Sequence, residues 1–319
     1  ATAKLAVTAS GDTLCNKNNP IVLPGIDFPK PTLAMAIMPK TKGDEDKIGT
    51  GLSRLTEEDP TISVHRDPET AETIVEGLGE VHLDVTADKL KRKFGAEVIL
   101  ETPRIPYRET IKGTSKVEGR HKKQTGGRGQ YGHVFLEISP LTAGEGFEFE
   151  DKIFGGSVPR QYIPAVEKGV RETLVEGVLA GYPLVDLKVS LYDGSYHPVD
   201  SSEMAFKIAA SMALKKGAIE ASPVLLEPIM DVEVVVPEYQ MGDVMGDLNK
   251  RRGRIMGMEP HDGNQVIRAQ APMAEMFRYA IDLRSITAGR GSFTMEFSHY
   301  EEVPTAISQQ LIEKLKQEQ

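Results

Sequence analysis

Gly79-Glu-Val-His-Leu-Asp-Val-Thr-Ala-Asp-Lys-Leu-Lys-Arg-Lys-Phe94 sets Leu83, Ala87, Leu90 and Phe94 at spacings of four, three and four. That period is one apolar stripe of an α-helix, and Gly95 is a helix-stop residue. Working outward, Ala96–Leu100 reads as a strand after the helix. Thr61–Val64 and Thr70–Val75 are β-rich before it, with Asp67-Pro68 as the turn between them. Further upstream, Leu33–Met38 is a strand and Gly43–Glu58 a polar helix with Ile48, Leu52 and Leu55 on its apolar side. The order βαββαβ predicts a four-stranded antiparallel sheet with two helices on one face, a ferredoxin-like domain.

The same order returns near the end of the chain. Pro228–Val236 is a strand, and Met241–Asn249 a helix that stops before Gly253. Arg254–Pro260 and Gln265–Ala271 pair across His261-Asp-Gly-Asn264. Met273–Leu283 is expected as one helix, and Ser292–Ser298 closes the sheet. The middle third differs. Strands are expected at Val117–Gln124, Val134–Ile138 and Phe147–Ile153, then a helix from Gln161 to about Ala180 and a strand at Val185–Leu191. Met204–Leu214 is apolar nearly all round and predicts a buried helix. The fold class is therefore α+β and multidomain, with two ferredoxin-like βαββαβ domains flanking an α+β domain. Residues 1–27, broken by Gly11-Asp12, Pro20 and Pro24, read as the end of a β domain.

A length of 319 residues calls for two or three domains. With 39% hydrophobic and 27% charged residues, a soluble globular protein is expected. No apolar run reaches the about 20 residues that cross a bilayer, so no membrane role is expected. Ala1-Thr-Ala-Lys-Leu5 shows no secretory pattern, and without an initiator Met the chain is expected to begin partway through a longer protein. Cys15 is the single cysteine, which suits a reducing cytoplasm. The net charge of −9 argues against a protein that coats nucleic acid indiscriminately. Yet Lys112–Arg128 holds six basic residues against Glu118 alone, and Lys250, Arg251, Arg252 and Arg254 form a second basic knot. Confined basic spots on an acidic body suit docking at chosen points of a large polyanion.

Gly127-Arg-Gly-Gln-Tyr-Gly132 matches the GxGxxG string of dinucleotide sites. Such a site needs a helix after the string, whereas His133–Ile138 alternates as a strand, so the cofactor reading fails on context. A hairpin tip fits better: glycines expose backbone N–H groups without side-chain bulk, and Arg120, Lys122, Lys123 and Arg128 around it suit RNA phosphates. A plain solvated turn is the alternative. The loop Asp193–Glu203 is polar and offers Asp200, Ser201 or Ser202 as helix N-cap near His197. A loop histidine is ordinarily just exposed; two tips converging on one end of a domain would say more. No GxxxxGK[ST], HExxH or GxSxG string is present, and the remaining histidines fall singly, so no catalytic residue and no metal ligand is assigned.

Taken in order, several stretches resemble elongation factor G from the end of its second domain onward. They are Gly11-Asp-Thr-Leu-Cys15, Gln124-Thr-Gly-Gly-Arg-Gly-Gln-Tyr-Gly-His133, Leu179-Ala-Gly-Tyr-Pro183 and Gly194-Ser-Tyr-His-Pro-Val-Asp-Ser-Ser-Glu203. Leu225-Leu-Glu-Pro-Ile229, Arg251-Arg-Gly-Arg-Ile255 and Ser298-His-Tyr-Glu-Glu302 complete the set. The resemblance covers nearly the whole chain. It implies a remnant of the domain II β-barrel at 1–27, domain III at 28–102, domain IV at 103–222, domain V at 223–303 and a tail helix at 304–319. The fourth domain would then resemble the ribosomal protein S5 domain 2-like fold.

By the same resemblance, the partners are both ribosomal subunits with their rRNA, the tRNA–mRNA duplex of the decoding site, and a GTPase domain that would hold GTP and magnesium outside this chain. A cytoplasmic monomer that promotes translocation, itself without enzymatic activity, is expected. The tip contacts carried over are Gln124, Thr125, Gly126, Gly127, Arg128 and Gly129 on one loop, and Tyr196, His197, Pro198, Asp200 and Ser201 on the other. Lys122, Lys123, Arg251 and Arg252 are the rRNA-contact candidates. His197 stands where the eukaryotic and archaeal counterpart carries diphthamide; plain histidine is expected here. A ribosome-protection or ribosome-recycling paralogue is the alternative within the class, and a small-molecule-binding ferredoxin-like protein the alternative outside it. Two departures from the family pattern suit a divergent paralogue. One is Gly51 inside Lys47-Ile-Gly-Thr-Gly-Leu-Ser-Arg54, which costs ~1 kcal/mol relative to Ala in a helix interior; the other is Gly79-Glu-Val-His-Leu-Asp84.

Overall fold

The computed structural model describes residues 8, 10–29, 31–124 and 129–318. The chain divides into two compact units, one of residues 1–105 with 229–298 and one of residues 106–228 with 299–319. No helix among the described residues is long and apolar enough to cross a membrane.

In chain order, the first unit opens with β1 (Leu33–Pro39), α1 (Glu45–Glu58), β2 (Ser63–Arg66), β3 (Thr73–Gly77), α2 (Glu80–Lys89) and β4 (Val98–Glu101). The sheet runs β2-β3-β1-β4 with every pairing antiparallel. Strands β2 and β3 begin two or three residues later than their sequence pattern predicts, because aspartates claim the preceding backbone. Asp59 Oδ1 accepts from the Thr61 N–H, and Asp67 Oδ1 from those of Glu69 and Thr70, turning both stretches before pairing starts. Past Lys89 the helix continues as a π-helical turn, Leu90–Phe94, and ends at Gly95 with φ +66°. Leu33, Leu52, Leu55, Val75, Leu83 and Leu90 form the core. Gly51 sits at the contact of the two helices: a Cβ there would lie 2.6 Å from Leu90 Cδ2 and 3.1 Å from the Phe94 ring. What weakens α1 locally lets it approach its partner. Among the described residues of 8–29, the backbone pairs only as an isolated bridge, Asn16 with Asn19, so the expected remnant of a β domain shows no strand.

The second unit carries β5 (Arg108–Ile111), β6 (Ser115–Lys123), β7 (Gln130–Pro140), β8 (Phe147–Asp151), α3 (Ile163–Glu176), β9 (Leu187–Ser195) and α4 (Glu203–Glu220). Its sheet runs β6-β7-β9-β8, antiparallel except for the β8–β9 pair. Helix α3 stops four residues short of its predicted end, at Gly177 with φ +69°. Beyond it the N–H groups of Val178, Leu179, Ala180 and Tyr182 turn to the carboxylate of Glu109 instead. Helix α4 is not buried all round. Ala205, Phe206, Ala209, Ala210, Ala213 and Leu214 are buried, whereas Met204, Met212 and Ile219 are exposed. Sequence apolarity overstates its burial because alanine faces one side and methionine the other.

Helix α4 lies on the sheet almost backbone to backbone. A Cβ at Gly119 would sit 2.1 Å from Ala209 O, and one at Gly132 2.3 Å from Ala205 O. Gly132, the last glycine of the GxGxxG string, therefore serves helix–sheet packing. Gly132→Ala is expected to cost ~2–3 kcal/mol by overpacking, and Gly49→Ala, at an open helical position, to be neutral or stabilising. Thermal denaturation followed by circular dichroism separates them. A Gly132→Ala variant that melts with the parent would refute the close packing.

Returning to the chain order, β10 (Pro223–Pro237), α5 (Met241–Lys250), β11 (Arg254–His261), β12 (Asn264–Pro272), α6 (Met273–Met276), α7 (Tyr279–Ile286), β13 (Ser292–Glu302) and α8 (Thr305–Glu318) follow. The sheet order is β11-β12-β10-β13. Numbered within its own repeat, each ferredoxin-like sheet thus runs 2-3-1-4. Strand β10 starts five residues earlier than predicted because Pro223–Leu226 pairs with β5. The single helix expected at Met273–Leu283 is two: Arg278, at φ −105° and ψ 7°, leaves helical geometry, and its carbonyl accepts from both Ile281 and Asp282. Val234, Val244, Leu248, Ile267, Tyr279 and Leu283 centre this core.

Candidate nucleic-acid interface

Three strand ends of the second unit meet at one edge of its sheet. Lys123 pairs with Gln130 and Lys122 with Tyr131 where β6 turns into β7. Ser195, the last residue of β9, lies opposite His133 on β7. Two loops leave this edge, residues 124–129 and residues 196–202. Thr125, Gly126, Gly127 and Arg128 fall outside the described residues; Gln124, Lys122 and Lys123 beside them are exposed.

Asp200 fastens one loop to the other. Its Oδ1 accepts from the Gly129 N–H at 2.9 Å, and its backbone carbonyl from the Tyr131 N–H at 2.9 Å. Ser201 adds a second tie, since its hydroxyl donates to Tyr131 O at 3.0 Å and accepts from the His197 N–H at 2.9 Å. Ser202 is the N-cap of α4, its Oγ accepting from the Ala205 N–H at 3.2 Å. Of the three cap candidates in the sequence, Ser202 caps, and the other two hold the loops together.

His197 Nδ1 accepts from the backbone N–H groups of Val199 and Asp200, at 3.3 and 3.1 Å. A ring nitrogen used as an acceptor carries no proton, so this bonding assigns the neutral ring its proton on Nε2. The Asp200 Oδ2 atom lies 3.3 Å from Nδ1, and the imidazole side chain is 51% exposed. His197 therefore presents an N–H donor on a ring held from behind. Tyr196 and Pro198 flank it, both exposed.

Behind the loops lies a polar chain that sequence reasoning missed. The Tyr131 hydroxyl and His133 Nδ1 both meet Ser195 Oγ, at 2.8 and 2.7 Å. The Arg120 guanidinium stands 5.8 Å from the centre of the Tyr131 ring, whose centroid is 6.3 Å from that of His197. The signal was present, because Tyr131 and His133 are two apart in a strand and share a face. On β8, hydrogen bonds from Lys188, Lys152 and the Ser190 hydroxyl lower the pKa of the Glu150 carboxyl to about 2.

Arg251 and Arg252, in the other unit, are used internally. The Arg251 side chain is only 15% exposed; it binds Asp247 at 2.7 Å, Asp282, and the carbonyl of Glu275 at 2.6 Å. Burial opposes its charge, but hydrogen bonds to Asp247 and Asp282 outweigh that and raise its pKa. Arg252 Nε meets Glu275 Oε1 at 3.1 Å. These contacts bind α5 to the α6–α7 segment. Among the described residues, no three His, Cys, Asp or Glu side chains are grouped to hold a metal ion.

Three domain models of one family match consecutive stretches of the chain. Residues 28–102 match elongation factor G, domain III, residues 103–222 match its domain IV, and residues 224–311 match its C-terminus. The chain belongs to the elongation factor G family. A crystal structure from Thermus thermophilus is similar to this chain at 44% sequence identity and a TM-score of 0.80. The match covers 93% of this chain and 44% of that one, so this chain spans less than half the length of that relative. The joined loops, with Asp200 between them, fall in the stretch matched to domain IV of elongation factor G.

Proposed function

We propose that this part of an elongation factor G binds the ribosome and promotes tRNA–mRNA translocation, with GTP and magnesium handled by a GTPase domain of the longer protein. The observation that carries the reading is the joining of two polar loops at one edge of the domain IV sheet, through Asp200 and Ser201. In this reading the loops meet the codon–anticodon duplex of the decoding site. The Gln124 amide donates and accepts, the glycine backbone approaches a shallow RNA groove closely, and His197 Nε2–H donates to a phosphate or 2′-hydroxyl. Contacts that are stronger after the tRNA–mRNA pair has moved shift the equilibrium toward the moved state. The protein acts in the cytoplasm as a monomer.

Co-sedimentation with purified ribosomes tests the binding. The chain is expected in the ribosome pellet at low salt and to leave it as salt rises. Lys122→Ala with Lys123→Ala is expected to flatten the dependence of log K on log salt by about 1.5, one ion-pair increment per lysine lost. A chain that stays in the supernatant at low salt would refute ribosome binding.

A further inference from the structure

Neither of the two joined loops contains the most exposed aromatic ring of the second unit. That ring is Phe154, 94% exposed in the connection between β8 and α3. Its place follows from strand direction. Strands β8 and β9 are parallel, with Asp151 level with Leu191, so both leave the sheet toward the same edge. The exit of β9 is the His197 loop, and the exit of β8 is the segment that bears Phe154.

Both ends of that segment are fixed to this edge. The Lys152 N–H donates to Leu191 O at 2.8 Å, and Asp151 Oδ1 accepts from the Ile153 N–H at 2.9 Å. On the far side Val158 is buried against Gly194, where a Cβ would come within 2.5 Å of its Cγ2. Tyr162 then stacks on Phe206 at 4.8 Å and donates its hydroxyl to Ser201 O at 3.4 Å. Between these anchors Gly155 and Gly156 adopt φ of +72° and +75°, a pair of left-handed positions that keeps the turn tight. The turn leaves the phenylalanine outside the core, at a cost in apolar exposure that the fold does not need.

We propose that Ile153–Ser157 is a third contact loop of this interface and that Phe154 stacks on an unpaired RNA base. This rests on the ribosome reading above. The chemistry around the ring favours RNA over a protein surface. The turn itself, Ile153–Tyr162, carries Arg160 and no acidic residue, Lys152 before it being paired with Glu150, and the adjacent loop offers Tyr196 as a second exposed ring. An exposed aromatic face on a segment that carries a cation and no carboxylate is how proteins hold unpaired bases without reading their identity.

The test uses the whole chain and small ribosomal subunits programmed with mRNA and tRNA. Phe154→Ala is expected to weaken binding roughly five- to a hundredfold at an unchanged melting temperature, and Phe154→Trp to restore it. The slope of log K against log salt should stay at the parental value, because stacking releases no counterions, unlike the loss of Lys122 or Lys123. A benzoylphenylalanine placed at position 154 should photocrosslink to RNA. Parental affinity in Phe154→Ala, or a crosslink to a ribosomal protein, would overturn the proposal while leaving ribosome binding intact. Failure of the unsubstituted chain to bind would overturn both.

Discussion

Glu109→Ala is expected to destabilise the unit of residues 106–228 by ~4 kcal/mol, because four backbone donors lose their buried acceptor. Glu109 has no exposed surface, and its carboxylate collects four backbone donors. Oε2 accepts from Val178 and Leu179 at 2.6 and 2.9 Å, and Oε1 from Ala180 and Tyr182 at 2.7 and 3.1 Å. These bonds turn residues 178–182 into a loop wrapped around one anion. They also explain Gly177, where a Cβ would lie 2.2 Å from Tyr182 O. Removing the carboxylate leaves several N–H groups unsatisfied, each costing ~1–3 kcal/mol, and the loop relaxes before the sum is reached. Glu109→Gln is expected to lose most of the same stability. Its amide nitrogen would face donors with a donor, and no rotation of the side chain avoids that. Urea denaturation gives the free energy, and hydrogen exchange gives the place, since the amides of Val178–Tyr182 should lose protection first. Glu109→Gln within about 1 kcal/mol of the parent would show that the anion is not what holds the loop.

Glu109 also marks the limit of what local pattern reveals. The stretch Leu179-Ala-Gly-Tyr-Pro183 stands out in the sequence, yet the residue it wraps around lies about seventy positions earlier, in an unremarkable strand. Asp200 and Gly129 are separated in the same way, at 71 residues. Each loop is legible alone, one by its glycines and one by its polarity, while the bond between them is tertiary. The two ferredoxin-like sheets were legible because their information is local: a 3.6-residue apolar period, strand alternation, and turn residues such as Asp262-Gly263. The errors have physical causes of equal clarity. Helix α4 looks apolar all round because alanine and methionine count alike, although only the alanines fit against Gly119 and Gly132. Strand β10 runs long because β5 supplies a partner that no window around Pro223 contains. The Arg251–Asp247 pair, by contrast, is local, four residues apart on one helix.

In a full-length protein carrying this chain, His197→Ala is expected to slow tRNA–mRNA movement roughly ten- to a hundredfold, with GTP hydrolysis and folding largely kept. The imidazole is half exposed, so its removal gives up the bonds from the Val199 and Asp200 N–H groups but opens no cavity in the core. A hydrogen bond to a charged acceptor is worth ~1.5–3 kcal/mol, which gives that range if the bond forms mainly in the transition state. Asp200→Ala should produce a defect of the same kind without touching the ring itself. It frees the Gly129 N–H and removes the carboxylate 3.3 Å from His197 Nδ1, so the two loops lose their side-chain tie through Asp200 while the backbone bond to Tyr131 and the Ser201 tie remain. Asp200→Asn keeps an oxygen for Gly129 and should fall between Asp200→Ala and the parent. Gln124→Ala should be milder than His197→Ala, because its amide bonds are neutral, and Lys314→Ala, on the exposed side of α8, should match the parent. Single-turnover translocation, ribosome-stimulated GTPase activity and melting temperature are measured on each variant. If His197→Ala moves mRNA at the parental rate, or its defect follows a fall in melting temperature, the ring does not contact the moving RNA. If Asp200→Ala is silent while His197→Ala is slow, the histidine acts without the Asp200 carboxylate and the bond from Gly129 has no part in the step.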